Sequence, residues 1–245
     1  MSKRAFEEGE EACKASFADL AQLAGLEYKA PTVRPNGAKM VFATTVAGST
    51  QPEDRICFQM SRSAQKEHLQ SCVWDLAKPM EDASNPTRRS LELSVEDSDL
   101  AEYLKALDRR NVEEATVHSE VWFKKKMDPN VIESNYQSIF RERVQENYSD
   151  SVRIKVNTEE APDPTDIQVV VHQSGEGEIT CRPGSSEDLV KGARVMALVH
   201  SSGIWISRYN FGMSLIAKCL LVWPVRRCNG IQAFNLGPGR SLVRE

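Results

Sequence analysis

The feature that most constrains this chain is how its apolar residues are distributed. They come in short, β-branched runs separated by turn formers, and one helical block interrupts the series. From Lys39 the runs read MVFATTV, RICFQM, LQSCVWDL and, after Arg88 and Arg89, SLELSV. The last third adds DIQVVVH, GEITC, ARVMALVHSSGIWIS and SLIAKCLLVWPV. Between SVRIKV at Ser151 and IQVVV at Ile167 lies EAPDPTD, whose two prolines bar it from a strand interior and mark a loop. Gly192 and Gly212, each just before a run, are expected at turns or bulges. GEGE at Gly175 to Glu178 reads as a hairpin turn, since acids stand where a phosphate would sit. Many short strands with one helical insertion predict a mainly β fold, either a small, partly open barrel or a sandwich.

The helical block begins at LAEYLKALDRR, where Leu100, Tyr103, Leu104 and Leu107 share a face and Ser98 or Asp99 is the expected cap. It continues with breaks, giving a helical insertion near 97–147. Residues 1–35 form an expected acidic, amphipathic N-terminal arm: Phe6, Cys13, Phe17, Leu20, Leu23 and Leu26 have helical spacing until Pro31 and Pro35 break it. The main domain is expected over 36–228 and a basic tail over 229–245.

Several function classes drop out. Of 245 residues, 40% are hydrophobic and 27% charged, the composition of a folding chain. The longest apolar run, Ser214 to Pro224, contains Lys218 and falls well short of the roughly 20 residues of a bilayer span. Glutamates stand where a secretory signal would place its apolar stretch, so an intracellular, membrane-free protein is expected. Six scattered cysteines without a CxxC, and four isolated histidines, offer neither a disulfide frame nor a zinc motif. GxSxG, GxxxxGK[ST] and GxGxxG patterns are absent, so a non-enzymatic protein without cofactor or metal is expected.

What remains is charge and aromaticity. The net charge is −4, yet from His200 onward six basic residues face one acid. In a first cluster Trp122, Phe123, Tyr136, Phe140 and Tyr148 alternate with Lys124, Lys125, Lys126, Arg141, Arg143, Arg153 and Lys155. A second cluster, GIWISRYNFG, holds Trp205, Arg208, Tyr209 and Phe211. Aromatic faces on which unstacked bases lie, interleaved with cations that neutralise phosphates, are the chemistry of single-strand binding. The competing reading makes these aromatics core residues and the lysines a solvated face.

Taken in order, these segments resemble the single-stranded DNA-binding proteins of nucleocytoplasmic large DNA viruses of algae, a group distantly related to the podophage single-stranded DNA-binding protein. The resemblance rests on SLELSV, the Leu107-Asp108 pair, the Ala-x-x-x-Ser-x-x-Trp-Phe-Lys-Lys stretch from Ala115 to Lys125, and Val131 or Ile132 followed by Tyr136. It continues with Lys191-Gly192, Gly203 to Trp205, Phe211-Gly212 and the final strand, covering roughly residues 37 to 225. It implies an oligonucleotide-binding (OB-fold-like), partly open five-stranded barrel with extra strands and inserted helices. It also implies sequence-independent protection of single strands in replication, recombination or repair, at a nucleus or a cytoplasmic viral replication site. The implied site is Trp122, Lys124, Lys125, Lys126, Tyr136, Arg153, Lys155, Trp205, Arg208 and Tyr209. Single-stranded DNA is the implied partner, with RNA an alternative, replication proteins further partners, and a homodimer left open. One departure is that the related phage proteins end in an acidic tail with a terminal aromatic, whereas GPGRSLVRE is basic. The acidic residues Glu7, Glu8, Glu10 and Glu11 are the expected substitute for that tail. From a different class, a virion or scaffold component that contacts other proteins is the alternative function.

Overall fold

Two long neighbouring strands organise the molecule. A computed structural model of the chain describes residues 16–35, 37–49, 51, 54–78, 85–143, 149–174 and 178–225. In chain order the first elements are α1 (Leu20–Ala24), β1 (Glu27–Tyr28), β2 (Thr32–Val33), β3 (Lys39–Val41), β4 (Ala43–Thr44), β5 (Cys57–Gln59), β6 (Gln70–Ser71) and β7 (Arg88–Ser94). Three helices follow, α2 (Ser98–Val117), α3 (Ser119–Phe123) and α4 (Pro129–Asn135). The chain then forms β8 (Tyr136–Gln137), β9 (Phe140–Arg141), β10 (Ser151–Asn157), β11 (Asp166–Gln173), β12 (Ile179–Pro183), β13 (Arg194–Ile206) and β14 (Phe211–Trp223).

β13 and β14 pair antiparallel along almost their whole length, and successive short strands occupy their outer edges. β3, β5 and β6 line up along β13, all antiparallel. β8, β10 and β11 line up along β14, all parallel to it. Strict alternation of buried and half-exposed residues through most of β13 fixes this register, because a slip of one residue would turn the core residues Val195, Ala197 and Val199 outward. Among the described residues the result is one 12-stranded open sheet and a separate two-stranded sheet, β1 with β4. The mainly β fold with inserted helices is therefore what the chain forms.

α2 closes the core. Leu100, Tyr103, Leu104 and Leu107 are fully buried, the face expected from their spacing, and Tyr103 meets Phe58 of β5 at 4.8 Å between ring centroids. Its cap is Asp97, one residue before the expected pair: the Asp97 carboxylate accepts from the backbone N–H groups of Asp99 and Leu100. The helical insertion ends at Asn135, earlier than expected, because the chain from Tyr136 joins β14 as β8.

The expected arm over 1–35 is corrected over its described part. Only Leu20–Ala24 is helical, Ala18, Leu23 and Leu26 are core residues, and Phe17 forms a bridge with Gln59. Residues 17–28 are thus built into the body, since their apolar side chains find the α2 surface. Residues 1–15, the tail from 229 onward, Tyr148 and the turn at 175–177 lie outside the described residues. Gly192 is at a turn with φ 82°, as expected. Gly212 is instead inside β14, and the irregularities of register fall in β13 after Leu198 and after Ser201.

Candidate nucleic-acid interface

The turn joining β13 to β14 projects Arg208 and Tyr209 into solvent. Ser207 and Asn210 tie the turn: the Ser207 N–H donates to the Asn210 carbonyl at 2.9 Å, and the Asn210 N–H to Ser207 Oγ at 3.2 Å. Tyr209 is 72% exposed, and the Arg208 guanidinium stands 5.1 Å from the centre of its ring. A cleft lies on each side of this turn, and Asn210 contributes to both.

The first cleft, about 480 Å³, opens between the turn and the α3–α4 connection. Lys39, Phe123, Lys125, Arg208 and Tyr209 line it. Lys39 Nζ donates to the Trp122 carbonyl oxygen. Burial, reinforced by the positive charge of Lys124, holds the Lys39 amine below the ordinary lysine range.

The second cleft, about 290 Å³, lies over the outer face of the sheet, and Arg141, Arg153, Lys155, Gln137, Trp205 and Ser214 line it. Arg153 and Lys155 alternate outward along β10 between the core residues Val152, Ile154 and Val156. Lys155 Nζ donates to the Ser90 hydroxyl at 2.7 Å. Burial lowers the Lys155 pKa, and the charges of Arg153, Arg88 and Arg141 lower it further. Arg141 is shifted the same way by burial and by Arg153. These cations repel one another, and an anion bound among them would relieve the repulsion.

Trp205 supplies the aromatic wall. It is half-buried and lies over Gly212, the residue opposite it on β14. A Cβ at position 212 would stand 3.1 Å from Trp205 Cζ2 and 2.7 Å from the Gln137 carbonyl oxygen. The missing side chain is therefore what lets the indole settle against the sheet. It also explains a glycine in mid-strand, where it otherwise costs conformational entropy.

The ten residues expected from sequence divide unevenly. Lys125, Arg208 and Tyr209 meet at the first cleft; Arg153, Lys155 and Trp205 meet at the second. Lys124 and Lys126 are exposed beside the first cleft, Lys124 in the left-handed conformation that ends α3 (φ 64°). Two expectations are corrected. Trp122 is only 2% exposed and packs between Tyr28 and Phe123, so its ring has no face open to a base. Tyr136 donates its hydroxyl to Asp108 at 2.6 Å and accepts from Asn111 at 2.9 Å, with its ring 5.2 Å from that of Phe211. Burial and the Asp108 carboxylate push the Tyr136 phenol well above its ordinary pKa. It is half-buried and packs against the core at the β8 junction, its hydroxyl committed to Asp108 and Asn111. Lys39 and Gln137 were missed because only long-range pairing brings them here, and nothing local in the sequence signals it.

Among the described residues no three His, Cys, Asp or Glu side chains gather as a metal site. No described helix is long and apolar enough to cross a membrane.

No family model matches the sequence, and no curated protein matches it. Solved structures do. The C-terminally truncated single-stranded DNA-binding protein from bacteriophage Enc34 aligns at TM-score 0.42 and 12% identity, over 83% of this chain and 98% of that one. The same phage protein in complex with single-stranded DNA aligns at 0.42 and 13%, over 81% and 96%. The single-stranded DNA-binding protein gp2.5 encoded by bacteriophage T7 aligns at 0.44 and 10%, over 78% and 100%. At these values each is a distant similarity in the path of the chain.

Proposed function

We propose that this protein binds single-stranded DNA without reading its sequence, and that it does so as a binding protein and not an enzyme. One observation carries the reading: the Trp205 indole, seated on Gly212, shares a cleft with Arg141, Arg153 and Lys155. An aromatic face takes a base only when that base is unstacked, which favours a single strand over a duplex, while the three cations take phosphates. Every base offers a face to an aromatic ring, so stacking on Trp205 requires no particular base. Such a protein would protect single strands exposed in replication, recombination or repair, in a nucleus or at a viral replication site. The chemistry accepts RNA as well, since discrimination needs contacts to the 2′-hydroxyl.

The test is fluorescence anisotropy of labelled oligo-dT and of the corresponding duplex across a salt series. With three phosphates neutralised, the slope of log K against log salt should be about −2, a loss of about a hundredfold in affinity per tenfold rise in salt. Binding that ignores salt, or that favours the duplex, refutes the reading. Absence of binding to both would place the protein among interaction modules such as a virion or scaffold component.

A further inference from the structure

Phe42 lies on the same outer face of the sheet as Trp205. The β3–β13 register sets Val41 opposite Ile204 and Met40 opposite Trp205, which brings Phe42 beside Gly203. Val41, opposite Ile204, faces the core, so its neighbour Phe42 turns to the other face, where Trp205 stands. The Phe42 ring rests on bare backbone there: a Cβ on Gly203, whose φ is 100°, would come 2.9 Å from Phe42 Cδ1. Two guanidinium groups attend this ring, Arg55 at 4.2 Å and Arg34 at 6.0 Å from its centroid. Arg55 is fixed by its backbone bridge to Thr44.

The ground between Phe42 and the Trp205 cleft is positive. His200, on β13, feels the charges of Lys218, Arg55 and Arg88, opposed by Asp163. Arg88 also acts on Lys155, which lies in the cleft itself. Cations thus stand at intervals from Arg153 and Lys155 on β10, past Lys218 on β14, to Arg55 at Phe42, with Asp163 opposing them near His200. An arginine stacked on an aromatic ring presents its N–H edges sideways, the geometry that suits a phosphate.

We propose that the strand-binding surface extends past Trp205 to a second phosphate-binding station, in which Phe42 carries Arg55 and Arg34 against the backbone of the same single strand. The proposal rests on the single-strand reading above and adds to it the path and the minimum length of the ligand. A short oligonucleotide is held in the Trp205 cleft alone, and a longer one reaches both stations.

The experiment compares the full chain with its Arg34→Gln/Arg55→Gln variant on labelled oligo-dT of about 6 and about 20 nucleotides, lengths that bracket the range of such sites. Glutamine keeps most of the stem packing, and a thermal melt checks that the variant folds. The expected result is a loss of about tenfold or more on the long oligonucleotide, with its salt slope shallower by about 1.4, and a change under twofold on the short one. Equal losses on both lengths, or none on the long one, overturn the second station while leaving the single-strand reading standing. Should the double variant melt early, Phe42→Leu replaces it: it withdraws the ring from under the guanidinium groups, so affinity for the long oligonucleotide should fall while the short one changes under twofold, with the salt slope nearly unchanged because both cations remain. Failure of the unmodified protein to bind either length overturns the single-strand reading itself.

Discussion

Glu92 and Arg153 stand directly opposite each other on the β7–β10 ladder, with Arg153 Nη2 3.9 Å from Glu92 Oε2. Glu92 also accepts from Arg143 and from the Ser151 hydroxyl, the latter at 2.7 Å, and its side chain is only 10% exposed. A carboxylate set into this cluster of cations holds them in place and would compete with a bound phosphate for them. Glu92→Gln keeps the shape and the acceptor oxygen but removes the charge. The variant should bind oligo-dT several-fold more tightly at low salt, with a slope steeper by about 0.7 for the one cation released. A salt titration reads both quantities; weaker binding would confine Glu92 to holding the sheet together.

The two tryptophans near the turn should separate cleanly. Trp122 is enclosed by Tyr28 and Phe123, and Trp122→Ala should cost about 3–5 kcal/mol of stability by opening a core cavity. Trp205→Ala removes a half-buried ring from the outer face. It should leave denaturant unfolding much closer to the parent while weakening single-strand binding by about 1–3 kcal/mol. Urea melts and anisotropy on both variants decide the matter. Unfolding by the Trp205 change as severe as by the Trp122 change would return Trp205 to the core.

Much of the architecture was legible because it is local. The period of Leu100, Tyr103, Leu104 and Leu107 gave α2, and the alternating apolar runs gave β7, β10, β11, β13 and β14. The site was half legible. Arg153 and Lys155 alternate with core residues on one strand, so their exposure follows from strand geometry alone. Trp122 and Trp205 look equivalent in sequence, each aromatic near basic residues, and only tertiary context divides them. One falls on the inner face of a short helix; the other falls opposite a glycine across a ladder. Lys39 reaches the first cleft through a pairing more than 160 residues apart in sequence, with Ile206. Local periodicity contains no record of such a contact.

His200 makes stability pH-dependent. It is partly buried, its Nδ1 has no hydrogen-bond partner among the described residues, and burial with the charge of Lys218 lowers its pKa to about 4. The unfolded value is about 6.5, so the folded state binds fewer protons than the unfolded state between these limits. The contribution is complete above pH about 6.5 and is lost as pH falls toward 4. Allowing for the solvent that reaches the ring, it is on the order of 1 kcal/mol. Chemical unfolding at pH 7 and pH 5 should show the drop in the parent and a smaller one in His200→Gln. An equal drop in both proteins would assign it to other groups.

Asp108 joins the core to the second cleft. Its carboxylate accepts from the Tyr136 and Ser138 hydroxyls and from the backbone N–H groups of Ile139 and Phe140, the last two at 3.0 and 3.1 Å. The same segment, through Gln137, Ser138 and Ile139, forms a wall of the cleft that holds Trp205. Burial raises the carboxyl pKa, against the four hydrogen bonds, which lower it. Asp108→Ala would strand those donors in the interior, at a cost on the order of 3–5 kcal/mol. Asp108→Asn keeps the volume but turns an N–H₂ toward donors, so it should lose less stability than alanine while still loosening the 137–139 wall. Under conditions where the asparagine variant remains folded, its affinity for oligo-dT should fall with an unchanged salt slope, because no cation is lost. A changed slope would mean that the cation cluster itself had moved, and full parental affinity would mean that the wall holds its shape without the carboxylate.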